Sequence, residues 1–273
     1  MIRTEAAPNA NSGDDAVMLG ALGILAYVAS MMTHEALGHG AVCVAAGGRN
    51  VMLSGWAEGC SLDPLPLGIT AAGPAVQFGA GLLAWLALRR MAPGGFVLQR
   101  SFAWLYMVFN LFISSGYLAF SGVTDFGDGA VMIAGLSPRW LWRTLLVIVG
   151  AVAYYLSMWA ALRELRRILG GDGGKRLRRF LWIPYLAAGL LACCAGALNR
   201  TMAPGVALGL AAASSFGAGF GMLCLPQLPH RPAMRSPLPG SNIRRSVAWI
   251  VAAIVVGAGF VLVLGPGIGA RPQ

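Results

Sequence analysis

The sequence predicts an all-α, polytopic membrane protein with about seven transmembrane helices. Of its 273 residues, 57% are hydrophobic and only 11% are charged, whereas a soluble globular domain carries about 25% charged residues. The mean hydropathy is +0.69. The apolar residues also form long runs, and a helix needs roughly 20 such residues to cross about 30 Å of hydrocarbon. No run alternates with period two, which excludes a transmembrane barrel.

Seven apolar runs follow a polar N-terminal tail, and each is long enough to span a bilayer. They cover about 16–46, 67–88, 101–122, 140–162, 180–198, 204–225 and 246–265. Within the loop at 47–66, residues 50–54 could form a short strand or a re-entrant piece. The apolar piece at 130–136 is too short to span alone. We therefore divide the chain into a tail (1–15), a membrane core (16–136), additional transmembrane helices (137–265) and a C-terminal tail (266–273).

The basic residues predict the orientation of these spans. Fifteen of the 20 Lys and Arg residues lie on one side if all seven runs cross the membrane. Positively charged loops stay inside, so the N-terminus and the linker at 163–179 are predicted to be cytoplasmic and the C-terminus external. The net charge of +10 is thus a topology signal, and no nucleic-acid partner is expected. All but one of the basic residues are Arg, which suggests a GC-rich bacterial genome and a bacterial cytoplasmic membrane.

The five cysteines predict packing rather than a disulfide framework. Four of them lie in apolar runs, where cysteine packs as a small apolar residue, and no CxxC motif suggests a thiolate metal site. Cys60 lies in the first loop. A bond between Cys60 and Cys43 stays open as the less favoured alternative.

The chemistry concentrates in one stretch of the first run, where His34-Glu35 is followed by Ala-Leu-Gly and then His39. Ionisable residues at membrane depth are costly and usually functional. A bound cation would compensate them, since neutral imidazoles ligate Zn²⁺ and a carboxylate can accept a proton from water that the metal activates. The alternative is a pair of buried, hydrogen-bonded histidines with a helix-capping glutamate.

The spacing of the two histidines predicts an irregular helix. They lie at i and i+5, which places them some 140° apart on a regular α-helix. A π-turn repeats after about 4.4 residues and would bring both rings to one face. We therefore predict a π-bulge or a helix break within 34–39, where Gly38 tolerates an unusual backbone.

A zinc site needs a third protein ligand. The acids at the end of the third run, Asp125 and Asp128, are the candidates because Gly127 and Gly129 would let a carboxylate approach a metal closely. The residues alone leave the choice between Asp125 and Asp128 open. An ordinary Asp-Gly turn is the alternative for both.

Three elements together resemble the site-2 protease family of intramembrane zinc metallopeptidases. His34-Glu35 with Gly38-His39-Gly40 resembles the zinc-binding helix of that family, although this chain has one more residue between the histidines. Ala72-Gly73-Pro74-Ala75-Val76-Gln77 resembles its Ala-Gly-Pro stretch, in which Asn often replaces Gln. Phe109-Asn110 followed by Asp128-Gly129 resembles its Phe-Asn…Asp-Gly pattern. Because Asp-Gly is the matching dipeptide, the resemblance favours Asp128 over Asp125, and we expect Asp128 to lie closer to the histidines. The resemblance covers about 20–135, so that the core at 16–136 is metalloprotease-like.

The resemblance implies hydrolysis of a peptide bond in or near the bilayer. His34, His39 and Asp128 would hold Zn²⁺, and Glu35 would act as the general base. Gln77 and Asn110 would hydrogen-bond the backbone of a substrate, a membrane protein or peptide segment. Hydrogen bonding between helices is an equal alternative for these two side chains. The family more often holds its metal nearer the cytosol, whereas the basic residues place His39 toward the external leaflet.

Two other functions compete with this one. The chain could be a non-proteolytic member of the same architecture that sequesters clients, and its altered histidine spacing favours that reading. A small-molecule transporter would show broken helices in two matching halves, and the sequence has no internal repeat. The substrate and the oligomeric state do not follow from the sequence.

Overall fold

The computed structural model describes residues 13–91, 96–169, 174–228 and 242–269, so most of the predicted N-terminal tail and half of the C-terminal tail lie outside the described residues. The described part contains eight helices and one three-stranded sheet. The helices are α1 (Ala16–Ala45), α2 (Leu67–Arg90), α3 (Val97–Thr124), α4 (Asp128–Met132), α5 (Arg139–Leu169), α6 (Lys175–Ala197), α7 (Pro204–Gln227) and α8 (Val247–Leu264). The strands are β1 (Asn50–Leu53), β2 (Glu58–Cys60) and β3 (Ile268–Gly269).

Seven of these helices, all except α4, are long and apolar enough to cross a membrane. The predicted all-α fold and the number of spans are thus confirmed, and the architecture suits a membrane protein. Local signals set several helix ends. The side chain of Asp15 accepts a hydrogen bond from the Met18 amide at the start of α1 (2.9 Å), and Asp125, with a left-handed backbone (φ 58°), ends α3.

Helices α1 and α3 form the centre of the bundle. In each, 61% of the most apolar 18-residue window is buried, compared with 22% in α5 and 17% in α8. Helix α1 packs against α2, α3, α6 and α8, while α5 packs mainly on α3. The peripheral helices expose Val, Leu and Ile side chains, as expected of surfaces that face lipid rather than water.

Three long helices contain π-helical segments. They lie at Thr33–Gly40 in α1, at Ala213–Gly217 in α7 and at Phe260–Leu264 in α8. The first confirms the predicted irregularity between His34 and His39. Nothing in the sequence pattern predicted the other two.

The sheet joins the segment that follows the first span to the segment that follows the last span. Its strand order is β2-β1-β3, and β1 pairs antiparallel with both neighbours. The strand predicted as one possibility at 50–54 is therefore present as β1. Because β3 follows the last span and β1 follows the first, the β1–β2 hairpin and the C-terminal strand lie at the same end of the bundle, which we call the hairpin end.

The opposite end of the bundle, where Asp14, Arg176 and Ile243 lie, is here called the basic end. Hydrogen bonds join its segments. Asp14 bonds Arg176 through Oδ2 and Nε (2.9 Å), and the amide of Asp15 donates to the carbonyl of Ile243 (3.0 Å). The residues before α1 are thereby joined to the first turn of α6 and to the residues before α8. The two ends agree with seven crossings, because successive loops alternate between them.

The structure corrects the expectation that the cysteines only pack. Cys43 in α1 and Cys60 in β2 form a disulfide, while Cys193, Cys194 and Cys224 are free. The hairpin folds back on the end of α1 and so brings β2 to Cys43, a contact between segments that residue spacing alone does not reveal. The disulfide thus fastens the hairpin to the first span at the hairpin end.

Candidate metal centre

Three ligand atoms converge at the hairpin end of α1. Nε2 of His34 lies 3.1 Å from Oδ2 of Asp128, Nε2 of His39 lies 3.2 Å from the same oxygen, and the two nitrogens are 3.2 Å apart. Both histidines are buried, and Asp128 is partly buried. Among the described residues, these three side chains form a group that could hold a metal ion.

The size of this triangle fits a small tetrahedral cation. Bonds of about 2.0–2.2 Å to nitrogen and oxygen separate the ligand atoms of a tetrahedral ion by roughly 3.3 Å. The observed edges of 3.1–3.2 Å are nearly equal and only slightly shorter. The three side chains therefore need to move by a few tenths of an ångström at most to ligate one ion.

The hydrogen bonds behind the two rings fix their tautomers. Nδ1 of His34 lies 3.0 Å from Oε1 of Gln77, and Nδ1 of His39 lies 2.8 Å from the carbonyl oxygen of Ile69. The Gln77 amide is oriented in turn, because its Nε2 donates to the carbonyl and the hydroxyl of Ser30. Since both partners of the rings are acceptors, each Nδ1 is the donor. In the neutral ring, Nε2 then carries no proton and has a free lone pair.

Three electron-rich atoms thus face one another without a donor between them. Two imidazole lone pairs and a carboxylate oxygen repel at these distances unless a positive charge lies among them. A proton can occupy one edge of the triangle at a time, whereas a cation above its centre contacts all three atoms. Donation of the other ring nitrogen to a carbonyl or amide oxygen is also the usual support of a metal-ligating histidine.

The π-turn is what brings the two rings together. A regular helix would place residues five apart some 140° from each other around the axis, but the segment Thr33–Gly40 is π-helical. The ring centroids of His34 and His39 are consequently 4.9 Å apart. Because the backbone between them is π-helical, the two histidines can bind one metal ion even though they are five residues apart.

Helix α2 contributes one face to the centre. Ile69, Gly73 and Gln77 lie four residues apart and hence on the same side of α2. A Cβ atom at Gly73 would lie 2.3 Å from Nε2 of His39 and 2.8 Å from Nε2 of His34. The Ala-Gly-Pro stretch therefore has a clear physical role, because only a residue without a side chain leaves room for both rings.

The two candidate acids lie on different sides of one turn. Gly127, in a conformation with φ 84°, precedes Asp128, whose amide donates to the hydroxyl of Tyr117 (3.3 Å). A Cβ atom at Gly127 would lie 2.3 Å from that hydroxyl, so this turn requires glycine. Asp128 is therefore the acid that lies at the histidines, as predicted.

Asp125 instead points to the surface. Its two oxygens pair with Arg139, at 2.6 Å to Nη2 and 3.0 Å to Nε. The hydrogen bond from this guanidinium, reinforced by its charge, holds the pKa of Asp125 below its ordinary value against the small effect of burial. The carboxylate of Asp125 is thus engaged away from the centre.

Glu35 follows His34 in the π-turn and faces a cavity of about 220 Å³. It is buried and lies within electrostatic range of His34, His39 and Asp128. Glu35 and His34 both line the cavity, together with Tyr117. A carboxylate, one of the three converging side chains and open space therefore adjoin one another.

The remaining predicted site residues are fully buried. The amide of Gln77 bonds only His34 and Ser30, so in this structure it orients a ring. Nδ2 of Asn110 donates to the carbonyl of Tyr106 one turn earlier (2.7 Å), and its Oδ1 has no hydrogen-bond partner. Neither Gln77 nor Asn110 lines the cavity itself.

Sequence reasoning missed three participants. The carbonyl of Ile69 carries no side-chain signal, and the hydroxyl of Tyr117 is recognisable only once the turn at Asp128 is folded. The cavity wall formed by Trp56 and α7 lies far from the motif in sequence. No motif would have indicated it.

Comparison with known proteins leaves the chain unassigned: no protein-family model, curated protein or solved structure matches it.

Proposed function

We propose that this protein is an intramembrane zinc metallopeptidase of the site-2 protease type. The observation that carries the proposal is the convergence of Nε2 of His34, Nε2 of His39 and an oxygen of Asp128, with Glu35 beside them at a cavity. Two nitrogens and one oxygen suit zinc, and three protein ligands leave a fourth position open, as in catalytic zinc sites. Zinc held there would supply a Lewis acid that activates water and polarises the scissile carbonyl.

The chain's own residues have distinct roles in this mechanism. Glu35 takes a proton from the attacking water and delivers it to the leaving amine. Gln77 and the carbonyl of Ile69 hold the two rings so that their lone pairs point inward. The burial of the histidines and of Glu35 excludes bulk water, which strengthens each of these interactions.

The alternative of a non-proteolytic relative loses its main support. That alternative depended on the extended spacing of the histidines, which a regular helix would keep apart. The π-turn removes this objection because both rings reach one point. A peptidase then accounts for Glu35 as well, which a purely structural metal site would not need.

We further propose that the basic end is cytoplasmic and that the metal lies toward the external leaflet of a bacterial cytoplasmic membrane. The positive-inside rule and the excess of basic residues at that end support this orientation. The disulfide between Cys43 and Cys60 supports it independently, because disulfides persist in oxidising compartments. His39 precedes the end of α1 by six residues, or roughly 9 Å of helix at 1.5 Å per residue.

Substitution of Glu35 tests the peptidase. In Glu35→Gln we expect zinc to be retained at one ion per chain and cleavage to fall by about 10²-fold or more, the usual cost of losing a general base. Glu58→Gln is the matched control, since Glu58 is a hairpin carboxylate that accepts a hydrogen bond from Asn50 (2.8 Å). Membrane fragments from cells that express each variant would be compared by mass spectrometry. Equal fragment patterns for wild-type protein and Glu35→Gln would contradict a proteolytic role.

Labelling tests the orientation. In a variant whose free cysteines 193, 194 and 224 are replaced by alanine, single cysteines are introduced at Ser137, which is exposed at the hairpin end, and at Lys175, which is exposed at the basic end. A membrane-impermeant maleimide should label Ser137→Cys in intact cells and Lys175→Cys only after permeabilisation. The reverse pattern would contradict the orientation and leave the chemistry of the centre untouched.

A further inference from the structure

The cavity beside Glu35 is built mostly by residues outside the candidate metal centre. Its walls come from α1, from Trp56 in the hairpin, from α3, from Tyr154 in α5 and from the second π-segment in α7. His39 and Asp128 do not line it. The cavity therefore extends from one side of the centre, next to the proposed base, and the chain builds it from five separate elements.

The polar groups of its wall are already satisfied. Oγ of Ser214 accepts a hydrogen bond from Nε1 of Trp56 (3.0 Å) and lies 3.0 Å from the hydroxyl of Tyr27. The hydroxyl of Tyr154 donates to the carbonyl of Ala218 and accepts from the amide of Gly221 (2.9 Å). Apart from the centre itself, the wall thus presents mainly aromatic and aliphatic surface. Such a wall favours an apolar group over a polar one, because a polar group would lose its hydration without gaining a partner.

The size of the cavity sets the size of that group. An apolar cavity of about 150 Å³ in another protein takes up benzene, and this one measures about 220 Å³. An alanine side chain would leave most of it empty, whereas a leucine or phenylalanine side chain would fill much of it. Gly217 lines the cavity and is exposed, so the cavity reaches the surface there and a chain segment can enter.

We propose that this cavity binds one large apolar side chain of the substrate, of leucine to phenylalanine size, next to the bond that is cut. The inference rests on the proposed function, since it gives the peptidase its side-chain preference. It also predicts a local sequence feature of the substrate segment. Cleavage should occur beside a bulky apolar residue rather than in a run of small ones.

Two glycines provide a precise way to change the cavity. At Gly116 in α3, an added Cβ would lie 3.5 Å from the Tyr154 ring and 3.7 Å from Cβ of Ala218, which are ordinary contacts with two wall residues. Gly116→Ala therefore narrows the cavity without a clash. Gly209 in α7 has no atom within 4 Å of its added Cβ and does not line the cavity, so Gly209→Ala is the matched control. Phe120→Ala enlarges the cavity.

Peptide binding tests the inference without requiring turnover. The probes are hexapeptide amides of Ala and Gly in which one central residue X is Ala, Leu, Phe or Trp. Binding to the Glu35→Gln protein in lipid nanodiscs is measured by calorimetry, with empty nanodiscs to subtract partitioning. Because each buried methylene is worth about fourfold in affinity, we expect Leu and Phe to bind at least tenfold more tightly than Ala. Gly116→Ala should reduce the Phe preference severalfold, Phe120→Ala should raise affinity for Trp, and Gly209→Ala should change nothing.

The possible results separate the two proposals. Equal affinity for all four peptides, or an equal change in Gly116→Ala and Gly209→Ala, would overturn the cavity's role even if the wild-type protein cleaves. A side-chain preference that responds to Gly116→Ala supports the cavity even if the wild-type protein proves not to cleave. Cleavage sites mapped in the wild-type protein give a second readout. They should carry a bulky apolar residue on one side of the cut bond, and sites that lack one would count against the inference.

Discussion

Gly73→Ala is the sharpest test of the candidate metal centre, because its added methyl group would clash with both histidine rings. The added Cβ would lie 2.3 Å from Nε2 and 2.5 Å from Cε1 of His39, and 2.8 Å from Nε2 of His34. Carbon and nitrogen atoms in ordinary contact are separated by roughly 3.5 Å. The rings must therefore retreat by about 1 Å, or α2 must move away from α1 by a similar distance.

Neither movement preserves the centre. Rotation of the rings displaces the ligand atoms by far more than the ~0.2 Å that a zinc site tolerates. Movement of α2 withdraws Ile69 and Gln77, which hold the rings from the same helix face. Loss of such supporting hydrogen bonds alone typically costs about 10–100-fold in metal affinity. We expect Gly73→Ala to lose at least 100-fold in zinc affinity and to purify with little zinc.

The assay combines elemental analysis of purified protein with competition against a chelator of known affinity. Gly79→Ala is the control, since Gly79 lies in the same helix and its added Cβ meets nothing within 4 Å. That variant should bind zinc normally, and circular dichroism should show that both variants remain helical. A folded Gly73→Ala protein with unchanged zinc affinity would refute the arrangement of the two rings described above.

Three further changes probe the same centre through zinc affinity, measured by the same competition. Gln77→Leu removes the acceptor behind one ring and should weaken zinc by about 10–100-fold, whereas unchanged affinity would show that the ring needs no partner. Deletion of Ala36 restores the shorter spacing of a regular helix and should weaken zinc by turning His39 away from Asp128, so an undiminished affinity would make the π-turn incidental. Asp128→Asn should abolish stoichiometric zinc while Asp125→Asn keeps it, and the opposite result would reassign the third ligand.

The helices could be predicted from the sequence because hydropathy reports directly on the lipid environment. Each predicted run overlaps one observed span, and the differences are confined to the ends, as for α5, which extends to Leu169. Those extra turns hold Arg and Glu residues that no hydropathy window counts as apolar. Glu164 is nevertheless buried, because it bonds Trp85 (3.2 Å) and Arg167 (3.0 Å).

The convergence of the two histidines was predictable for a different reason. His34 and His39 are costly in an apolar run, and the distance between them allows only an irregular helix if they share a metal. The partners behind the rings were not predictable in the same way. For Gln77, substrate binding and hydrogen bonding between helices were equal alternatives, because its position in the chain gives no information on which helix face meets α1; its bonds to His34 and Ser30 are of the second kind. The carbonyl of Ile69 is invisible to any residue pattern.

The hairpin was the feature that sequence reasoning described least well, and its contacts explain why. It contacts all three π-helical segments. The side-chain amide of Asn50 donates to the carbonyl of Gly40 (3.1 Å), and the indole of Trp56 donates to the hydroxyl of Ser214. The backbone amide of Gly55 donates to the carbonyl of Leu264 (3.1 Å). The contact with Ser214 joins two side chains, whereas Leu264 accepts through a carbonyl at the end of its helix, where no later amide of the helix can bond it.

The irregular segments of α1, α7 and α8 and the non-helical hairpin are therefore in direct contact. Backbone outside helices is tolerated at membrane depth where protein surrounds it or where it borders a cavity, and here both conditions hold. The hairpin supplies Trp56 to the cavity wall, while the disulfide at Cys60 and the bond to Gly40 fasten it to the helix that carries the histidines. These contacts thus hold the hairpin, and with it one wall of the cavity, beside the candidate metal centre.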